Sequence, residues 1–196
     1  GSFKCRYERG RVVDVDFNGI ENPYVPPKVL RLSPKLKLHQ RWDDNVDPVT
    51  YEVIRHNLWQ INEEHGATIQ RLSGSPVAMY ALDLNPSILT EDAEFVYFGP
   101  YMQYMSGVTD TQVKWTMEFR SDNPGINEGD MFIANDPWVG AAHQQDVMLL
   151  CPVFWEGELF CWVTNCLHQY DIGGITPGSF CPSARDAFDE GILIPP

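Results

Sequence analysis

The residues equipped for chemistry gather between Asn135 and Gly174, in N-D-P-W-V-G-A-A-H-Q-Q-D (Asn135 to Asp146) and L-H-Q-Y-D-I-G-G (Leu167 to Gly174). His143 is followed three residues later by Asp146, and His168 opens the second stretch with Asp171 behind it. Imidazole nitrogen with carboxylate oxygen and no thiolate beside it is an intermediate-to-hard donor set, suited to Mn, Fe(II), Co or Zn. Three protein ligands leave positions open for water or substrate, an arrangement that non-haem iron oxygenases also use, so donor type alone does not choose the metal. A lone histidine beside a strand is ordinarily a packed or surface residue, and only convergence with the second histidine turns His143 into a ligand candidate. Asp171 is open to three roles: a fourth ligand, a partner fixing an imidazole tautomer, or a turn residue before Ile172-Gly173-Gly174.

Convergence requires an element that brings the two stretches together. Asp146 to Trp155 and Glu158 to Cys166 are apolar, rich in β-branched and aromatic residues, and separated only by Glu156-Gly157, which predicts a hairpin with a two-residue loop. With Trp155 opposite Glu158, a plain register puts His168 opposite Gln145, and His168 and Asp146 then point to opposite faces. Pro152 cannot donate a ladder hydrogen bond, so an irregularity is expected near Cys151-Pro152. One extra residue there would set His168 opposite Gln144 and on the face of Asp146.

The rest of the chain supplies the support. At 196 residues and 43% hydrophobic content the sequence can bury a real core. Its formal charge of −13 argues against nucleic acid and anionic membrane as partners. Five cysteines without regular spacing read as small hydrophobes, Cys151, Cys161 and Cys166 within strands, and suggest a reducing cytoplasm. No apolar run is long enough to span a bilayer, and no signal peptide is visible. Residues 1–46 read as an extended docking arm, broken by Pro23, Pro26, Pro27 and Pro34, with a strand over Arg11 to Phe17. Its basic cluster (Lys28, Arg31, Lys35, Lys37, His39, Arg41) offers contacts to an acidic surface elsewhere in an assembly, a solvated arm being the alternative.

Asp47-Pro48 predicts a helix start, and Tyr51, Ile54, Leu58, Ile61, His65 and Ile69 recur at helical spacing to about Gln70, a stripe expected to bury against a sheet with His65 as a packed histidine. Val77 to Asp83 and Glu94 to Phe98 read as strands with Asn85-Pro86 as a breaker between them, and Asp83 faces the metal site or caps a turn. A second helix is expected over Thr109 to Phe119, a loop over Ser121 to Gly129, and a strand over Asp130 to Ala134. The glycine-rich Gly173 to Ser179 has amides for an oxyanion, but neither it nor any other stretch carries a P-loop or dinucleotide pattern. The fold expected is α+β: a mixed or antiparallel sheet, a long helix near residues 48–70, a β-hairpin near 146–166, and the N-terminal arm.

D-P-V-T-Y-E-V-I-R (Asp47 to Arg55), the N-D-P-W-V-G-A-A-H-Q-Q-D stretch, C-P-V-F-W-E-G-E-L-F, H-Q-Y-D-I-G-G-I-T-P-G-S and E-G-I-L-I-P-P (Glu190 to Pro196) resemble the hydantoinase B/oxoprolinase superfamily, in order and from Asp47 onward. Within it the Gln144-Gln145 pair and the proline-rich arm are most similar to the alpha subunits of acetone carboxylases, where hydantoinase-type members carry G-G-T-H-x-x-D and H-H-A-D-V-G-G. The resemblance implies a metal-binding portion, 47–196, of a heteromeric carboxylase that joins acetone and bicarbonate into acetoacetate. It implies Mn2+ on His143, Asp146 and His168; the donor set leaves Zn2+ or Fe2+ as other occupants, and Asp83 and Asp171 are the candidate catalytic carboxylates by position. ATP is expected on a beta subunit, with a gamma subunit and the remainder of the alpha subunit as further partners. Alpha subunits are several times longer than this sequence, so an N-terminal portion is expected, with no activity expected of it alone. A ring-opening amidohydrolase of the hydantoinase or 5-oxoprolinase type, and an aromatic-ketone carboxylase, are the alternatives.

Overall fold

Glu156 and Gly157 both take positive φ, 51° and 79°, the backbone that a two-residue hairpin loop requires. They lie in a computed structural model that describes residues 5–8, 11–15, 23–178 and 180–196. In chain order the described strands and α-helices are β1 (Cys5–Glu8), β2 (Arg11–Val15), α1 (Pro48–Leu72), α2 (Pro76–Ala81), β3 (Leu84–Thr90), β4 (Phe95–Phe98), α3 (Gln103–Arg120), β5 (Phe132–Ala134), β6 (Asp146–Trp155), β7 (Glu158–His168) and α4 (Ala187–Glu190). The Glu156-Gly157 loop joins β6 to β7, and these lie inside a five-stranded antiparallel sheet of order β4-β3-β7-β6-β5. The expected α+β class, long helix and hairpin are all present. β1 and β2 pair antiparallel as a separate two-stranded sheet, and Phe17 lies outside the described residues.

Alternate residues decide the core. Leu150, Met148 and Asp146 on β6, and Trp162, Thr164, Cys166 and His168 on β7, are buried on one face. α3 covers that face. Its Val113 and Met117 pack with Leu89, Leu150, Leu159 and Trp162, and Val108 joins Met148 and Cys166 nearer the open end. The apolar stripe therefore runs along both strands and ends in Asp146 and His168.

The stripe expected on α1 is not what the sheet buries. Tyr51, Ile54 and Ile61 are 56%, 49% and 54% exposed, while the buried residues of α1 are Asn62 and Gly66. Asn62 Nδ2 donates to the Pro86 carbonyl at 3.4 Å, and Gly66 makes room for the Tyr101 ring. Small and polar residues thus bring α1 close to β3 and β4, and Tyr51, Ile54 and Ile61 face outward while Leu58 and Ile69 are half-buried. Periodicity reports that a stripe exists, not what covers it.

Two strand expectations are also corrected. Val77 to Asp83 is helical over Pro76–Ala81, because Ser75 caps it with Pro76 in the first turn, and Leu82 ends it in the left-handed region. Asn85-Pro86 does not break the chain but lies within β3, Pro86 opposite Asn165 of β7. The Pro86 carbonyl accepts from Gly99 N on the β4 side, so its missing N–H also faces that side, beyond the last β3–β4 pair. The ladder to β7 is untouched.

The described part of the arm packs on its own chain. Leu30, Leu32, Leu36 and Leu38 lie against the main core, and Leu38 pairs in parallel with Leu159. Lys35 meets Asp122 at 2.8 Å, Arg41 meets Glu156 and Glu158 at 3.2 and 3.1 Å, and His39 meets Glu158 at 3.1 Å. These three members of the basic cluster are answered by acidic residues of the same polypeptide. Among the described residues no helix is long and apolar enough to cross a membrane.

Candidate metal centre

A β-bulge sets the geometry. From Asp146↔His168 to Val153↔Cys161 the β6–β7 pairing is regular, and the next pair is Phe154↔Leu159, leaving Phe160 as an extra residue in β7. That shift places His168 directly across from Asp146, so both side chains point to the α3 face. The irregularity expected at Cys151-Pro152, with His168 opposite Gln144, is therefore corrected in strand and position. Pro152 pairs in register with Trp162 beyond the last β5 partner, Leu150, where its missing N–H costs no ladder bond.

His143 arrives from a loop braced against α3. Asp136 caps a 3-10 turn over Pro137–Val139, accepting from Trp138 N at 2.9 Å, and burial pushes its carboxyl above the ordinary value. Gly140 ends the turn at φ 111°, where an added Cβ would sit 2.6 Å from the Val108 carbonyl, so only glycine lets this loop lie on the helix. Asp146 N then donates to the His143 carbonyl at 3.0 Å, closing the turn that leads into β6.

The candidate ligand atoms of His143, Asp146 and His168 all lie within 4.8 Å of one another. Asp146 Oδ2 is 3.5 Å from His143 Nδ1, and Asp146 Oδ1 is 3.4 Å from His168 Nδ1, with the rings at 89° and their centroids 4.9 Å apart. Asp146 is fully buried, His168 nearly so, and His143 is 41% exposed, forming the open wall. These contacts are long for hydrogen bonds. Both Asp146 oxygens, His143 Nδ1 and both His168 nitrogens are buried without a hydrogen-bond partner. Lone-pair donors gathered this closely, buried and not hydrogen-bonded to one another, fit a divalent cation.

Asp83 joins from the α2–β3 junction. Its Oδ2 is 3.5 Å from His168 Nδ1, and its carbonyl accepts from His168 N at 3.1 Å, while Ser75 Oγ donates to the His168 carbonyl at 2.9 Å. Asp171 sits elsewhere: it is exposed, and its two oxygens accept from Gly173 N and Gly178 N, which hold its carboxyl below the ordinary value. The amides of Gly173 and Gly178 in the glycine-rich loop thereby serve the loop's own turn. Cys166 is buried beside the site, and burial, with the charges of Asp146 and Asp83, pushes its thiol well up, so it stays protonated. His65 is half-buried on α1, and burial lowers its pKa.

Residue type alone announces no role for Asn135 or for the side chain of Gln144. Asn135 Nδ2 donates to the carbonyls of Gln144 (2.7 Å) and Ile192 (2.8 Å), its Oδ1 accepts from Ile194 N (2.6 Å), and its own N donates to the Ile194 carbonyl (3.0 Å). Gln144 Nε2 donates to the Ala187 carbonyl at 2.9 Å. The only sequence signal was an asparagine opening the N-D-P-W run.

Comparison with known proteins bears on the same stretch. The chain is 32% identical over 148 residues to 5-oxoprolinase 1 of Arabidopsis thaliana, covering 76% of this chain and 12% of the relative. It is 32% identical over 153 residues to caprolactamase subunit beta of Pseudomonas jessenii, covering 78% of this chain and 26% of that one. The structure of a nucleotide-free acetone carboxylase aligns with a TM-score of 0.72 at 25% identity, covering 76% of this chain and 20% of that chain. The ATP-dependent caprolactamase of Pseudomonas jessenii aligns at 0.68 and 29% identity, over 78% and 26%. The chain thus spans roughly an eighth to a quarter of the length of these relatives. The profile of the hydantoinase B/oxoprolinase family matches residues 47–196, the whole stretch from the α1 cap through the ligand cluster, and the chain belongs to that family.

Proposed function

We propose that this chain is the metal-binding portion of an ATP-dependent carboxylase of the acetone carboxylase type, acting on a small ketone and bicarbonate in the cytoplasm, with beta and gamma subunits as partners. The observation that carries the reading is the cluster of His143, Asp146 and His168 at the open end of the α3-covered face, with its buried donors unbonded. His143, Asp146 and His168 would hold a divalent ion, Mn2+ first, with Asp83 a second carboxylate beside His168. When bound, such an ion supplies Lewis-acid polarisation of a carbonyl oxygen. The chain's own residues do the rest: Asp146 sets its carboxylate between the two imidazoles, His143 leaves the outer side open, and the α3 core excludes water behind the site. ATP belongs to a partner subunit, in keeping with the absence of a phosphate-binding pattern from this sequence. The likeness in structure to an acetone carboxylase and the Gln144-Gln145 pair support the carboxylase reading.

The second reading, ATP-dependent ring opening of a lactam or imide, is favoured by the 5-oxoprolinase and caprolactamase relatives. The same donors would polarise a ring carbonyl. The experiment is turnover by the complex assembled with its partner subunits: ATP-dependent fixation of labelled bicarbonate into acid-stable product with acetone supports the first reading. ATP-dependent opening of 5-oxoproline or caprolactam without label fixation replaces it with the second.

A further inference from the structure

The ligand loop and the C-terminal segment are tied together through one buried side chain. Asn135 is fully buried and uses three side-chain hydrogen bonds, two donated and one accepted, to join the Gln144 carbonyl, between His143 and Asp146, to Ile192 and Ile194. Its backbone N–H adds a fourth bond to the Ile194 carbonyl. Gln144, itself buried, reaches the same segment at Ala187. Gly191 and Gly174 let this segment lie close to Ile172 and the loop after β7: an added Cβ would sit 2.6 Å from Ile172 Cγ1 at Gly191 and 2.7 Å from the Glu190 carbonyl at Gly174. Residues 186–194 are thus fastened at both ends of the candidate centre, to the loop carrying His143 and to the loop following His168.

We infer that Asn135 is a positioning residue that couples the metal affinity of the His143–Asp146–His168 cluster to the docking of residues 186–194. This rests on the metal-site reading above. An amide is required for a physical reason: the site offers two carbonyls and one N–H, which an asparagine side chain matches and a carboxylate or an alkyl chain does not. Binding that favours one arrangement of the ligand loop must favour the docked segment to the same extent, because such coupling is reciprocal. Groups that orient metal ligands ordinarily contribute about 10–100-fold in affinity.

The test uses the full chain with Mn2+ alone, reading affinity by calorimetry and backbone protection by hydrogen exchange. Asn135→Ser and Ile194→Pro are compared with the parent; the second removes the N–H that Asn135 Oδ1 accepts and touches no ligand. Expected are a metal affinity lowered about 10–100-fold in both, and Mn2+-induced protection of 186–194 in the parent that both variants lose. Parental affinity in folded variants, or protection confined to 140–146, would overturn the inference. A parent that binds no Mn2+ would instead sink the metal reading. Exchange in the metal-free variants then decides the clamp: faster exchange in both 140–146 and 192–194 upholds it, and a change in one segment alone overturns it.

Discussion

Replacing Asp146 with asparagine separates a metal ligand from a structural ion pair, because the two roles give opposite signs in the metal-free protein. Asp146 is fully buried, and its oxygens stand 3.5 and 3.4 Å from His143 Nδ1 and His168 Nδ1 without hydrogen bonds. A buried carboxylate so placed costs several kcal/mol to desolvate. An asparagine of the same shape recovers part of that, about 1–3 kcal/mol, or roughly 2–12 °C in Tm for a chain of this size. With Mn2+ at about 100 times its Kd the parent gains about 2.7 kcal/mol, roughly 5–11 °C, and the variant gains none. Melting curves in chelator and in Mn2+ should therefore cross over: the variant is the more stable without metal, and the parent pulls level or ahead with it. A variant that melts far below the parent in chelator, by the roughly 3–5 kcal/mol that follows from breaking a buried pair, would show that Asp146 serves charged imidazoles and would refute the reasoning.

Other substitutions test the supporting structure. Asp136→Asn keeps an acceptor for Trp138 N and removes a carboxyl whose pKa burial raises. A raised carboxyl contributes stability below its ordinary pKa and loses it as pH rises through the folded value, so the variant should melt above the parent at pH 7 and converge with it near pH 4. Gly140→Ala forces a side chain into positive φ and against the Val108 carbonyl, which should cost about 1–3 kcal/mol in a melt and weaken metal binding by shifting His143. Ile61→Lys, at a position 54% exposed, should change stability by no more than about 0.5 kcal/mol; a large loss would mean that the outward face of α1 is covered in the folded chain.

What the sequence revealed and what it hid follow from the range of the interactions. The Asp47-Pro48 cap, the Glu156-Gly157 loop and the apolar, β-branched and aromatic composition of Asp146 to Cys166 are local signals, and the elements they announce are present. The bulge at Phe160 was illegible, since the phase shift made by an extra residue leaves no mark where Leu159 to Val163 are all apolar, and the proline nearby pointed to the wrong strand. Val77 to Ala81 has the composition of a strand, and only the Ser75-Pro76 start turns it into a helix. The outward stripe of α1 and the Asn135 clamp depend on partners far away in sequence, which periodicity does not report. In the candidate site the chemistry of His143, Asp146 and His168 was readable from residue types, whereas the approach of Asp83 to His168 depends on how α2 ends at Leu82.

The most direct test of the central claim is the metal content of the protein purified without chelators, measured by elemental mass spectrometry beside the His168→Ala variant. Near one equivalent of divalent metal in the parent, Mn2+ above all, and its loss in a folded variant is the result expected. An equal metal content in both, or none in the parent even after loading with Mn2+, would contradict a centre built on His143, Asp146 and His168.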